Sequence, residues 1–440
     1  MTGVSGLLPP LGPSRAARRP SSAERTLSNG LTVLAVRRPA VPLVELRLRI
    51  PFAGNRPGHR ARASLLANSL LLGTARRSEL ELVQALQEVG TELAVGSDND
   101  RVLISGSVLR AGLNTGLDLL AEVLTSAAYP ARLVAGERKR LRDQLRIARS
   151  QPDVVARVAR ARRVYGKHPY AEVLAADGDV AGLDATALRR VHRQRIQPTG
   201  ARLVLVGDLS PTRTLDAVEA ALGGWAPGAA PVTLRPAPTP VPGPLLLVDR
   251  PGAVQSCLRL AGSAPVRTDP GYPAMQLANL VFGGYFSSRY VENIREAKGY
   301  TYTPRSSIEH RMAGSAFAVD ADVSTAVTAP ALLETQYELG RMATLPITEA
   351  ELDSARQYAL GNLALSTSTQ AGLAATLAGL AGPGLGLDWI ADYRRALLSV
   401  GVDDVLEQAS RFLAPSRLVT VVVGDAAAIR EQLGTLAEIA

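Results

Sequence analysis

Two copies of one closing segment lie along the chain, and this repeat limits the possible folds more than any other feature. The first copy is Pro198-Thr-Gly-Ala-Arg-Leu-Val-Leu-Val-Gly-Asp208, and the second is Pro415-Ser-Arg-Leu-Val-Thr-Val-Val-Val-Gly-Asp425, 217 positions later. Leu66-Ala-Asn68 returns as Leu277-Ala-Asn279 at an offset of 211, and Gly90 returns as Gly299 at an offset of 209. Because these matches keep their order, they indicate a duplicated domain.

A proline-rich segment separates the two copies and divides the 440 residues nearly in half. Dense proline excludes helix and central strand, so this segment is predicted to be a stiff, extended linker. We therefore predict a disordered tail over residues 1–23, an N-terminal domain over 24–225, the linker over 226–244 and a C-terminal domain over 245–440. Each domain has the size of an ordinary independent fold.

Strand and helix patterns occur in irregular order. Residues 41–50 and 102–108 alternate apolar with polar residues, as half-buried strands do. Residues 117–128 and 138–163 carry apolar residues at helical spacing. This mixture predicts domains of the α+β class.

The charge balance gives little support for a nucleic-acid partner. The net charge is +9, but 46 of the 49 basic residues are arginine, which is typical of a GC-rich genome. Residues 138–163 are the densest basic region, and they lack the interleaved aromatic residues of single-strand binders. We interpret this region as a solvated helix face and predict no nucleic-acid partner.

The sequence also gives little support for a membrane partner or for a disulfide framework. The chain has no run of 18 uncharged apolar residues, so we predict no membrane partner. The single cysteine, Cys257, lies in a strand-like segment and is predicted to be a buried, inert thiol. One cysteine cannot form an internal disulfide, and together with the lack of a secretory signal this favours a cytoplasmic location.

Residues 282–302 form the segment with the clearest chemical potential. The pattern predicts a helix that ends at Gly299 and turns into a strand, with Arg295 in the last helical turn and Tyr302 in the strand. A guanidinium and a phenol on one side of this turn could bind peptide carbonyls. Spacing alone favours a simpler interpretation, in which Arg295 forms an ion pair with Glu292 or Glu296 and Tyr302 is an ordinary strand residue.

This segment resembles the Arg/Tyr substrate-binding motif of insulinase/pitrilysin-type zinc metallopeptidases, most closely the processing-peptidase branch. Residues 26–33 resemble the opening strand of that family, and Tyr165-Gly-Lys-His-Pro-Tyr170 resembles another of its conserved segments. The resemblance implies two homologous domains related by pseudo-twofold symmetry, each a mainly antiparallel sheet with helices on one face. It also assigns substrate binding to Arg295 and Tyr302, although Tyr300 leaves open which tyrosine makes the contact.

Active members of that family carry H-x-x-E-H on a helix and a glutamate ligand farther along the chain. Histidines at positions i and i+4 share a helix face and bind Zn²⁺, while the glutamate activates the bound water. The matching positions here are Ser64, Ala67, Asn68 and Gln144, which supply neither the charged ligands nor the base. We therefore predict no metal bound by this chain and no catalytic residue in this chain alone.

The resemblance implies a function in a complex. The chain is similar to the zinc-less, Arg/Tyr-bearing subunit of bacterial heterodimeric peptidases. It is therefore expected to be inactive alone and to bind an extended peptide for a zinc-bearing homologous partner. Two other roles remain open: a structural or assembly subunit, and a stand-alone peptide-binding module.

Overall fold

The computed structural model describes residues 19–440. Its N-terminal half contains a six-stranded sheet with strands β1 (Ser22–Thr26), β2 (Thr32–Arg37), β3 (Leu43–Pro51), β4 (Glu92–Ser97), β5 (Arg101–Leu109) and β6 (Arg202–Gly207). The helices of this half are α1 (His59–Ser69), α2 (Glu79–Glu88), α3 (Leu113–Ser126), α4 (Ala131–Ser150), α5 (Pro152–Tyr165), α6 (Asp177–Ala181), α7 (Ala185–Arg195) and α8 (Pro211–Leu222).

The C-terminal half contains a five-stranded sheet with strands β7 (Leu246–Asp249), β8 (Gln255–Ala264), β9 (Arg305–Arg311), β10 (Gly314–Ser324) and β11 (Val419–Gly424). Its helices are α9 (Tyr272–Asn279), α10 (Arg289–Val291), α11 (Thr328–Thr344), α12 (Glu349–Ser366), α13 (Gln370–Leu380), α14 (Leu387–Ser399), α15 (Val402–Phe412) and α16 (Ala426–Gly434). Two π-helical segments, Leu280–Gly284 and Glu292–Ala297, flank α10.

The two sheets repeat one topology. The strand order is β2-β6-β3-β5-β4 in the first sheet and β7-β11-β8-β10-β9 in the second, and β1 is an additional edge strand. In each sheet one pair is parallel, β2 with β6 and β7 with β11, and the other pairs are antiparallel. The predicted α+β fold of two homologous, mainly antiparallel domains is therefore confirmed.

The halves exchange one helix each, which the sequence did not predict. Helix α5 of the N-terminal half packs on β8 and β11, and α13 of the C-terminal half packs on β3 and β6. The α5 contact contains Ala156 with Cys257 and Val421, and the α13 contact contains Leu373 with Val206. Because the exchange is reciprocal, it fits the pseudo-twofold relation, and it adds a second helical layer to each sheet.

The predicted boundaries at the N-terminus need correction. Residues 1–18 of the expected tail lie outside the described residues, and Ser22 and Ala23 already belong to β1. The segment 26–33 is mainly the turn of the β1–β2 hairpin and not one continuous strand. Gly30 has φ 88°, a left-handed conformation that glycine adopts at low cost, and this reverses the chain before β2.

The basic stretch 138–163 forms two helices, because Pro152 begins α5 at a position where its missing N–H costs nothing. The charged face of α4 is exposed, as predicted, but the interpretation is wrong for α5, which faces the other half. There Arg160, 9% exposed, donates to Asp320 at 3.1 Å and to Glu309 at 2.5 Å. These charges therefore join the two halves.

Two further features concern the linker and the cysteine. The linker is extended and fixed in place, since the N–H of Ala237 donates to the carbonyl of Ala313 at 2.7 Å. Cys257 lies in β8 as a buried free thiol, and burial raises its pKa to about 12, as expected for an inert side chain. Within residues 19–440 no helix is long and apolar enough to cross a bilayer.

Candidate functional site

The segment before the Arg/Tyr pair is anchored by contacts with neighbouring helices. Arg289, at the start of α10, donates two hydrogen bonds to the Glu351 carboxylate, at 2.5 and 2.8 Å. Asn293 donates to Glu334 at 3.0 Å and to Glu338 at 2.9 Å. Bidentate and charge-assisted contacts of this kind hold geometry well, so they fix the helix on which the next turn is built.

The helix ends at a glycine, as the sequence predicts. Gly299 has φ 64°, and its N–H donates to the carbonyl of Arg295 at 3.0 Å. The N–H of Tyr300 then donates to the carbonyl of Ile294 at 2.8 Å. These bonds close the last turn and redirect the chain, which returns past the side chain of Arg295.

Arg295 and Tyr302 are in direct contact. The guanidinium carbon of Arg295 lies 4.8 Å from the centroid of the Tyr302 ring and 4.8 Å from that of Phe286. Both rings are exposed, Tyr302 at 77% and Phe286 at 62%. The Nε atom of Arg295 also lies 3.1 Å from a carboxylate oxygen of Glu296, so the ion pair left open by the sequence is present as well. The two arrangements coexist because they use different parts of the guanidinium.

Tyr302 does not lie in a strand, contrary to the prediction. Thr301 forms an isolated bridge with Val323, Tyr302 lies in a bend, and β9 begins only at Arg305. Pro304 has no N–H to donate to a ladder, which explains why the strand starts after it. Tyr300 packs half-buried against the C-terminal core, so Tyr302 is the tyrosine that presents its ring to solvent beside Arg295.

Phe286 belongs to the same cluster and was missed by the sequence analysis. It follows the π-helical turn that ends at Gly284, and its ring centroid lies 4.8 Å from the guanidinium carbon of Arg295. An exposed aromatic residue shortly after a glycine pair, near a candidate binding arginine, was a usable signal. Its contact with Arg295 depends on the folded turn, which spacing in the sequence does not reveal.

The four positions aligned with the zinc motif lie on two helices that pack together, α1 and α4. Ser64 is half-buried, Ala67 is buried and Asn68 is exposed on α1, while Gln144 is exposed on α4. Neutral oxygens and a methyl group do not fit the charged nitrogen and carboxylate ligands that Zn²⁺ prefers. No group of three or more His, Cys, Asp or Glu side chains in residues 19–440 could hold a metal ion.

Histidines elsewhere are engaged in structural contacts. Nδ1 of His192 accepts from the Tyr129 hydroxyl, and its Nε2 donates to the Leu124 carbonyl, both at 2.9 Å. His168 caps the turn before Tyr170. Burial lowers the pKa of His59 and of His310 to about 4, so both are neutral at pH 7.

The fold defines a chain of two homologous α+β domains. Residues 61–178 match the family model described as Insulinase (Peptidase family M16), and residues 182–358 match the model described as Peptidase M16 inactive domain. The two matches together cover about two thirds of the chain. The chain therefore belongs to the insulinase family of peptidases, M16.

Relatives and solved structures agree with this assignment. An uncharacterized zinc protease of Mycobacterium tuberculosis is 25% identical over 363 residues, which are 80% of this chain and 83% of the relative. A probable inactive metalloprotease of Bacillus subtilis is 26% identical over 211 residues, 45% of this chain and 48% of the relative. The crystal structure of a peptidase M16 inactive domain from Pseudomonas fluorescens has a TM-score of 0.85 at 24% identity. It covers 92% of this chain and 98% of that one, and it shows the shared fold.

Proposed function

We propose that this chain is the non-catalytic, substrate-binding subunit of a heterodimeric zinc metallopeptidase. The observation that carries the proposal is the exposed contact between Arg295 and Tyr302 in a chain whose aligned zinc positions hold no metal ligand. Membership of the M16 family supports a peptidase context, and similarity to a probable inactive metalloprotease supports the lack of catalysis.

The geometry suggests how the pair would bind a peptide. Two aromatic rings contact the Arg295 guanidinium and its Nε atom pairs with Glu296, so its terminal N–H groups are the donors for an acceptor in solution. Peptide carbonyls are such acceptors, and the Tyr302 hydroxyl adds one more donor. Together they would fix the register of an extended peptide. Zinc and its bound water would belong to the partner, and the residues of this chain would bind and orient the substrate.

Two features of the chain bear on the alternative roles. A purely structural subunit has no need for a half-buried arginine in contact with two exposed rings, so the site favours substrate binding. A stand-alone peptide-binding module would use the same residues and is distinguished only by the need for a partner. The proposal keeps a cytoplasmic location, because the only cysteine, Cys257, is a free thiol.

The proposal is tested by cleavage of a quenched fluorescent peptide library. The chain is assayed alone, with a zinc-motif homologue from the same genome, and as Arg295→Gln in the same mixture. We expect activity only in the mixture, and a loss of about 100-fold in kcat/KM for the variant, which is the scale of losing one directed donor. Arg411→Gln is the matched control, since Arg411 also stacks on a ring, that of Phe412 at 5.0 Å.

Each arm has an outcome that would contradict the proposal. A homologue that is fully active alone and unchanged by this chain would exclude complementation. Chelator-sensitive cleavage by this chain alone would mean that the metal positions are misassigned. Equal losses in Arg295→Gln and Arg411→Gln would remove the specific role of Arg295.

A further inference from the structure

A cavity of about 430 Å³ lies where the two halves meet. Its walls come from β3, the β4–β5 turn, the segment after β8, the β9–β10 turn and the C-terminal end of α13. Four arginines contribute to this wall, namely Arg49, Arg101, Arg267 and Arg311. A cavity of this size is in the range of small-molecule sites, and its lining is unusually cationic.

Arg49 is the deepest of these arginines. It lies on the inner strand β3 and is 6% exposed, and no hydrogen bond or ion pair joins its guanidinium to another residue in 19–440. Its neighbour across the sheet is Arg202, which is paired with Glu24 at 2.7 Å. A guanidinium keeps its charge in proteins, and a buried charge without a partner is costly. Burial lowers the pKa of Arg49, the charges of Asp100 and Asp98 offset this only in part, and no ion pair within the described part of the chain compensates the buried guanidinium.

The carboxylates of the cavity are engaged elsewhere. Asp98 pairs with Arg101 at 3.1 Å. Asp100 accepts from the Tyr170 hydroxyl at 2.7 Å and from the N–H of Met312 at 3.1 Å. The cavity thus holds four cationic and two anionic side chains, and neither carboxylate lies within ion-pair distance of Arg49.

The end of α13 provides part of the missing negative charge. Arg202 donates to the Ala381 carbonyl and Arg267 to the Gly379 carbonyl, both at 3.5 Å. A helix C-terminus carries the equivalent of roughly half a negative charge. Arg202 and Arg267 already share this partial charge through long contacts, so the helix end does not neutralise Arg49 as well.

We propose that this cavity binds a small anion bearing carboxylate or phosphoryl groups, with Arg49 as the buried anchor and Arg267 as a second contact. Arginine matches both groups bidentately. Because Arg49 belongs to the N-terminal half and Arg267 to the C-terminal half, the bound anion would stabilise the packing of the two halves. This site shares no residue with the Arg295 cluster, so it stands or fails independently of the proposed peptidase role.

Thermal unfolding of the full chain tests the site. Citrate and phosphate are titrated separately at constant ionic strength, with sodium chloride as the balance. We expect a saturable rise in Tm with at least one of the two anions, since a ligand that binds only the folded state stabilises it by mass action. A response to citrate alone identifies a carboxylate ligand, and a response to phosphate alone a phosphoryl ligand. Identical Tm values in all three salts would overturn the proposal.

Substitutions distinguish an anion-binding role of these arginines from a purely structural role. Arg49→Met is expected to bind the anion at least tenfold more weakly and, in chloride alone, to raise the Tm, because it removes an unpaired buried charge. If Arg49 only stabilised the C-terminal end of α13, Arg49→Met would instead lower the Tm. Arg267→Gln should also weaken the response. Arg47→Gln is the matched control, two residues away on the same face and paired with Glu45 at 2.9 Å, and it should respond as the wild type does. A full response in both Arg49→Met and Arg267→Gln would contradict the site.

Discussion

The two copies of the domain differ in chemistry at the helix that ends before a left-handed glycine. Helix α2 leads to Gly90, with φ 62°, and the π-helical segment Glu292–Ala297 leads to Gly299, with φ 64°. Four residues before these glycines lie Leu86 in the first copy and Arg295 in the second. Leu86 is 6% exposed and belongs to the N-terminal core, whereas Arg295 contacts two exposed rings. One backbone arrangement thus supports packing in one copy and a candidate binding site in the other.

The residues after the turn differ in the same way. Three positions beyond each glycine lie Leu93, which packs against the N-terminal core, and Tyr302, which is exposed. In the first copy, α1, on which the family resemblance places the zinc motif, holds Ser64 and Asn68 at the positions expected for histidines. We infer from this comparison a division at this turn, in which the N-terminal copy contributes packing and the C-terminal copy presents side chains for binding. The following changes test this division.

Restoring ligands to the N-terminal copy gives the largest expected effect. The triple variant Ser64→His, Asn68→His, Gln144→Glu places two nitrogens at i and i+4 on α1 and a carboxylate on the adjacent α4. We expect it to bind Zn²⁺ with a Kd below about 1 µM by competition with a fluorescent chelator, because this set matches a catalytic zinc site. The double variant without Gln144→Glu should bind at least tenfold more weakly. A triple variant that binds no better than the wild type would show that these positions do not converge on one ion.

Leu86→Ala and Arg295→Ala compare the two equivalent positions directly. Leu86→Ala removes a buried side chain from the core, so it should lower the free energy of unfolding by about 2–5 kcal/mol. Arg295→Ala loses only exposed contacts and should change it by less than about 1 kcal/mol. Urea denaturation followed by circular dichroism measures both. Similar losses in the two variants would contradict the division into a packing copy and a binding copy.

Phe286→Leu tests whether the second ring positions Arg295. Leucine keeps an apolar side chain but removes the π face, so the guanidinium loses one of its two stacking partners. We expect a two- to fivefold fall in kcat/KM of the mixed complex, mainly in KM, which corresponds to about 0.5–1 kcal/mol for an exposed cation–π contact. Phe412→Leu, which removes the ring under Arg411, is the control and should have no effect on cleavage. If Phe286→Leu left the kinetics unchanged while Arg295→Gln impaired them, the site would be limited to the arginine and the tyrosine.

More of the fold than of the candidate site could be predicted from the sequence. The repeat and the linker predicted two α+β domains, and the glycine at 299 predicted the end of the helix, because these features depend on local backbone preferences. The exchange of α5 and α13 was missed, since it depends on contacts between distant segments. One signal was available in α13, whose sequence is apolar on nearly every side, a pattern typical of a helix buried on more than one face. Tyr302 lies outside the predicted strand because Pro304 lacks the N–H that a ladder needs, so β9 begins only at Arg305.

The smallest expected effect concerns how the two equivalent helices begin. In the first copy Ser78 and Glu81 form a local capping box, whereas the second copy relies on the tertiary pair of Arg289 with Glu351. The Arg289 guanidinium lowers the pKa of Glu351 from 4.5 to about 2. A depressed carboxyl pKa stabilises the fold above the unfolded value, and this contribution is lost as the pH falls from about 4.5 towards 2. Glu351 is partly exposed, so solvent screening should limit the effect to about 1 kcal/mol or less.

Urea unfolding at pH 5.5 and pH 3.0 should therefore show a smaller difference in the free energy of unfolding between the two pH values in Arg289→Gln than in the wild type. An equal difference in the two proteins would mean that other carboxylates cause the acid sensitivity.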